Sequence, residues 1–281
     1  MNVSGLLMTS ISPLLLLVIG APVNCLAGLI SFLRRSVDAG GAASGAALGT
    51  AVFVAAGPLL WVILAAFVAS SSAFTRFRAE KKDWLTSIQQ KGGRRDALQV
   101  VANGGVSLLM ALLLRFTREP SYAVGFAAAL ASANADTWAS EIGVLSRRSP
   151  VSLLTLRTVP RGVSGGVTML GLAAAAGGAL FIALLFAAES MLLPRNLAGV
   201  GALFGLVTAT GLFGSFVDSF LGSTIQGQYT GKDSALTERG MTDGRSNTLV
   251  RGLAFVTNDL VNLGSTAAAA FAGILLSGLL R

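Results

Sequence analysis

Long apolar runs separated by short clusters of arginine and lysine set the pattern of this chain. The runs cover residues 11–33, 40–75, 97–114, 121–141, 164–188, 197–221 and 252–280. A helix needs about 20 apolar residues to cross a hydrocarbon core of about 30 Å, and these runs are of that order. They are continuous, whereas a barrel strand would alternate polarity over about ten residues. The run 40–75 is too long for one upright helix. Gly57-Pro58 stands at its middle, and proline breaks or kinks a helix, so the run divides into two short spans. The pattern predicts an all-α, polytopic membrane bundle of eight helices in a single integral membrane domain, residues 1–281. The count becomes seven if 40–75 is one tilted helix. The first run lacks a basic leader and a cleavage motif, and reads as a retained span.

Charge then orients the bundle. With eight spans, the connections on one side carry Arg34 and Arg35, the basic loop 76–96, the loop 142–163, and Lys232, Arg239, Arg245 and Arg251, together 17 of the 21 lysines and arginines. The positive-inside rule makes that side cytoplasmic and the N-terminus external, in a bacterial-type cell membrane or an organelle membrane. The chain is 53% hydrophobic and 12% charged, against about 25% charged in soluble domains. The net charge of +8 therefore reads as inside loops meeting anionic headgroups, with no nucleic acid partner. There is no histidine, and Cys25 is the sole cysteine. This disfavours zinc, haem and Ser-His chemistry and leaves oxygen ligands for a hard cation.

The polar residues inside the runs are sorted by face. At about 100° per residue, Ser132, Asn134, Asp136, Thr137, Ser140 and Glu141 share one half of a helix, and Ala135, Trp138, Ala139 and Ile142 the other. Similar stripes group Gly211, Ser215, Asp218, Ser219, Gly222 and Gln226; Arg251, Asn258, Asn262 and Ser265, with Asp259 at the edge; and Asp96, Gln99, Asn103 and Ser107, with Gly104-Gly105 beside them. All lie in the half of their span nearest the basic loops, and are expected to meet in one cytoplasmic cavity. Asparagine and serine in membrane helices also act as interhelical glue, and that alternative stands for Asn103, Asn258 and Asn262. Two glycine-rich stretches, 162–168 and 91–96, precede helices, where free amides suit an anion.

These parts compose a phosphotransfer site. Asp136, Asp218, Glu141 and Asp259 are candidate Mg²⁺ ligands, the first three also catalytic. Asn103, Gly104, Gln226, Asn258 and Asn262 are candidates to orient phosphates. Ser164, Gly165 and Gly166 offer amides or hydroxyls, and Arg94, Arg95, Arg157 and Arg161 neutralise charge. The expected ligands are a nucleotide and a phosphate-bearing lipid with a prenyl or acyl tail, held among membrane lipids; a homodimer stays open.

Asn134-Ala-Asp-Thr-Trp-Ala-Ser-Glu-Ile-Gly143 with Leu145-Ser146, Ser164-Gly-Gly-Val-Thr168, Gly214-Ser-Phe-Val-Asp-Ser-Phe-Leu-Gly-Ser-Thr-Ile-Gln226, Val100-Val-Ala-Asn-Gly-Gly105 and Asn258-Asp-Leu-Val-Asn262 together resemble the transmembrane protein 19 family. The likeness runs in order from about residue 34 to the C-terminus. That family includes the phytyl-phosphate kinases of plants and cyanobacteria, which make phytyl diphosphate with a nucleoside triphosphate. The resemblance implies prenyl-phosphate kinase activity on a prenyl-phosphate lipid, with a nucleoside triphosphate, CTP or ATP, as donor. The chain departs from the family pattern at Gly162-Val163 and Leu154-Thr155. A CTP-dependent lipid nucleotidyltransferase and a cation-coupled transporter are the alternative readings.

Overall fold

A computed structural model describes residues 12–82, 88, 94–195, 197–231 and 236–280. The expected glycine stretch at Lys91-Gly92-Gly93, and Lys232, lie outside the described residues. Seven helices make up the described bundle: α1 Pro13–Leu33, α2 Ala39–Arg76, α3 Ala97–Thr117, α4 Ser121–Gly143, α5 Met169–Leu192, α6 Val200–Thr224 and α7 Asn258–Leu279. Among the described residues, six of them, all but α4, are long and apolar enough to cross a membrane. The protein is a polytopic helical membrane bundle.

Helix α2 doubles back on itself. Gly57 takes φ 83° and ψ 174°, a conformation open essentially to glycine alone, and Pro58 follows. Both ends of α2 then lie together. Asp38, which caps its first turn, donates its backbone N–H to Arg95 O at 3.0 Å. Thr75 near the other end accepts from Arg95 Nη2 at 3.3 Å, and Arg76 reaches Arg34 O. The two arms, 39–56 and 58–76, are each about 27 Å long at 1.5 Å per residue, enough for a span. The division expected at Gly57-Pro58 is thus present: two helical arms meet at the Gly57 kink.

Helix α4 is the least lipid-like and the most enclosed. It packs against α2, α3, α5, α6 and α7, and residues 121–135 are buried almost without interruption. A helix wrapped by others need not be apolar toward lipid, which is why it can carry the polar string. Helix α1 is the opposite case: only Gly20 and Asn24 are buried. Asn24 Oδ1 accepts from Trp61 Nε1 at 3.0 Å, tying α1 to the second arm of α2.

The described residues of the connections after α1, α2, α4 and α6 gather at one end, as the contacts of Arg76 with Arg34, of Arg95 with Ser36 and Thr75, of Ser164 with Glu238, and of Glu238 with Ile88 show. Two expectations change here. The polar connection after α6 is a small folded unit: β3 Gln228–Thr230 sits between β4 Leu236–Thr237 and β7 Thr248–Arg251, with a β5 Met241–Thr242 and β6 Arg245–Ser246 hairpin closed on Asp243-Gly244, both at positive φ as a type I′ turn demands. The last helix starts at Asn258, so Arg251 stands on β7 and is not on the α7 stripe. Gly252, at φ 76°, turns the chain there, where a Cβ would lie 2.1 Å from Gln226 O.

Candidate functional site

Two close helix approaches build the site. A Cβ on Gly211 would lie 2.6 Å from Ala131 Cβ, and one on Gly214 would lie 2.2 Å from Ser132 Oγ. These glycines let α6 sit against α4, as small residues do in lipid. One turn nearer the loops, the carboxyl groups of Asp136 of α4 and Asp218 of α6 lie close enough to interact, on the wall of one cavity. Ser265 of α7 donates to Asp218 Oδ2 at 3.1 Å. The opposite face of α4 is apolar as its pattern requires: Trp138 packs on Phe74 and Phe181, with ring centroids 4.5 and 5.6 Å away. Asn134 departs from its expected side. It accepts from Ser70 Oγ at 3.1 Å and donates to Gly178 O at 2.9 Å, so it joins α4 to α2 and α5.

The aspartate pair lies in a cavity of about 490 Å³ at the loop end of the bundle. Asn103 of α3 and Asn258, Asp259 and Asn262 of α7 line it, as do Glu141, Arg95, Arg161 and the Ser164-Gly165-Gly166 loop. Twelve of the sixteen sequence candidates therefore converge. The other four do not line the cavity. Gly104 packs on α2, where a Cβ would lie 2.9 Å from Leu48. Gln226 falls beyond the end of α6 at Thr224 and is buried beside the Gly252 turn, its Oε1 without a partner among the described residues. Arg94 and Arg157 are exposed on their loops.

Several converging residues are already engaged. Glu141 Oε2 pairs with Lys82 Nζ at 2.6 Å, and Oε1 accepts from Thr75 Oγ1 at 2.8 Å, so its carboxylate is held in an ion pair at the rim. Burial pushes the nearby Arg95 guanidinium below its ordinary value, while the charge of Glu141 opposes this. Ser164 Oγ donates to Glu238 Oε1. The glycine loop does not form a helix start: Gly166 begins β2 (Gly166–Val167), paired with β1 (Val151–Ser152), and Thr168 caps α5 by accepting from Gly171 N at 3.0 Å. Gly165, at φ 79°, presses on Ser223, which a Cβ would meet at 2.3 Å. Arg161 donates to Arg147 O at 2.8 Å.

Sequence reasoning missed Glu238 and Arg148, which also line the cavity. Both lie on connections, where no helical period assigns a face. Among the described residues no group of three or more histidine, cysteine, aspartate or glutamate side chains is placed to hold a metal ion. The charged centre is the two-carboxylate pair. Carboxyl groups in contact need a shared proton or a cation between them, and the surrounding donors are carboxyl, amide and hydroxyl oxygens, the set that suits Mg²⁺.

The family described as "Integral membrane protein DUF92" matches residues 22–270. Protein PGR of Arabidopsis thaliana is 31% identical over 233 residues, covering 76% of this chain and 81% of that protein. An uncharacterised membrane protein of Methanocaldococcus jannaschii is 28% identical over 204 residues, 73% of this chain and 81% of its own. Protein VTE6, chloroplastic, of Arabidopsis thaliana is 25% identical over 175 residues, 60% of this chain and 50% of that protein. No solved structure matches.

Proposed function

The chain belongs to the DUF92 family of integral membrane proteins, and from that premise we propose that it is a membrane-embedded prenyl-phosphate kinase. It would pass the γ-phosphoryl group of a nucleoside triphosphate to an isoprenyl monophosphate. The carrying observation is the meeting of Asp136 and Asp218 in a cavity that the 164–166 loop, Arg95 and Arg161 also line. The earlier likeness to a family that includes phytyl-phosphate kinases supports the same reading.

In this reading a phosphate oxygen of the lipid attacks the γ-phosphorus, the bond from the γ-phosphorus to the β,γ-bridging oxygen breaks, and the nucleoside diphosphate leaves. That nucleophile is already ionised, so the absence of histidine costs nothing. Catalysis is then positioning and charge neutralisation. Asp136 and Asp218 would hold Mg²⁺, with Asp259 nearby on the cavity wall; the ion would offset phosphate charge. Glu141, spent on Lys82 and Thr75, acts from the rim by holding Lys82 and the Arg95 side of the cavity in place. Asn103, Asn258 and Asn262 offer amides to phosphate oxygens. The excess of basic residues in these connections supports a cytoplasmic location for this face, the side where a nucleotide would be met.

The test is transfer of label from γ-³²P nucleotides to phytyl or geranylgeranyl phosphate by the purified chain in nanodiscs. A labelled lipid diphosphate that disappears with EDTA is expected. No product with ATP, CTP, GTP or UTP defeats the proposal. Release of pyrophosphate with a CDP-lipid would instead identify a nucleotidyltransferase, which uses the same parts at the α-phosphorus. A cation-coupled carrier gains less support, because the converging polar residues crowd one end of the bundle.

A further inference from the structure

The cavity has a second wall that the phosphate chemistry does not use. Beside the aspartates it is lined by Leu172, Ala175 and Ala176 of α5 and by Leu212 and Phe216 of α6. Counting from the helix ends at Met169 and Thr224, Ala176 lies about 10 Å and Leu212 about 18 Å along the helices from the loop end. This flank therefore descends to hydrocarbon depth. Phe216 lines the cavity and is also 46% exposed, in an outward stripe with Phe213 and Phe220. That stripe faces where lipid would be, and Phe216 belongs both to it and to the wall of the cavity that holds Asp218. Across from it α5 presents Ala175 and Ala176, small side chains on the cavity wall.

We propose that the cavity opens sideways to the bilayer, and that the slot between α5 and α6 holds the tail of a phosphate-bearing prenyl lipid. This deepens the kinase reading and rests on it for the head group. The tail lies against Leu172, Ala176, Leu212 and Phe216, and the phosphate reaches the level of Asp136, Asp218 and the 164–166 loop. Such a lipid slides from hydrocarbon into an apolar slot without its tail crossing water, which would forfeit the hydrophobic transfer energy of every methylene. Phe216 sets the width of the opening.

A phytyl monophosphate analogue carrying a diazirine in its tail tests the slot without needing turnover. Irradiated with the full chain in nanodiscs, it should label residues 172, 176, 212 or 216. Geranylgeranyl phosphate should compete; geranylgeraniol at the same concentration should not. Labelling elsewhere, or equal competition by the alcohol, overturns the proposal. Ala176→Phe, which fills the slot, should lower the ratio of kcat/KM for a C20 over a C5 prenyl phosphate at least tenfold, and an unchanged ratio in folded protein overturns it too. Competed labelling in a chain that transfers no phosphate would sink the kinase reading and keep the slot, so the two failures are told apart.

Discussion

Asp136 and Asp218 are the residues on which turnover should depend most. In the kinase reading Asp136→Asn and Asp218→Asn each remove a carboxylate that would hold the cation offsetting phosphate charge, and loss of one such electrostatic partner costs on the order of 100-fold or more in kcat. Both variants should keep the helical circular dichroism of the parent, and near-parental kcat in either would remove the pair from the mechanism. Lys82 and Glu141 are a different case. Lys82→Met leaves the Glu141 carboxylate without its cation and should lower unfolding free energy by about 3 kcal/mol. The double variant Lys82→Met/Glu141→Gln should recover part of this, because the stranded charge is gone. Denaturation in detergent measures both, and identical losses would show that the pair carries no coupling. The stripe reading placed Glu141 at the site but could not reveal its partner, since Lys82 comes from a loop that no helical period assigns. Glu238 and Arg148 escaped notice for the same reason.

The shape of α2 depends on one backbone conformation. Gly57 has open space around its Cβ position, so Gly57→Ala meets no clash, yet its φ of 83° and ψ of 174° should cost about 1–3 kcal/mol. Gly45 also has nothing within 4 Å but lies in the regular first arm, where alanine should be neutral or stabilise by up to about 1 kcal/mol. The pair separates backbone strain from packing in one unfolding series, and equal effects would contradict the fold-back. Hydrophobic runs and their breaks are local properties, which is why the spans and the Gly57-Pro58 division were legible. The ends of α6 and α7 were not. Gln226 and Arg251 leave the helices because the Gly252 turn and the strand pairing of β3 with β7 compete with continued helix. Strands of two to four residues leave no periodic trace of their own.

At the scale of the whole molecule, the doubled α2 puts Arg35 and Arg78 at one end of the bundle and Arg118 at the other. With Cys25, the sole cysteine, replaced by alanine, single cysteines at 35, 78 and 157 should react with a membrane-impermeant maleimide from the cytoplasmic face. A cysteine at 118 should react from the opposite face. Reaction of 35 and 78 from different faces would mean that α2 crosses once. The alternation of long apolar runs with basic clusters was enough to establish a helical membrane protein, because the cost of burying charge and open backbone in hydrocarbon acts on each segment by itself. Helical periodicity likewise put Asp136 and Asp218 on polar faces. That those two faces meet, that Asn134 turns away from the site, and that Glu141 is neutralised at its rim were decided only in three dimensions, by glycine-mediated approaches between helices distant in sequence. A helix records which of its sides is polar, but not which neighbour that side will face.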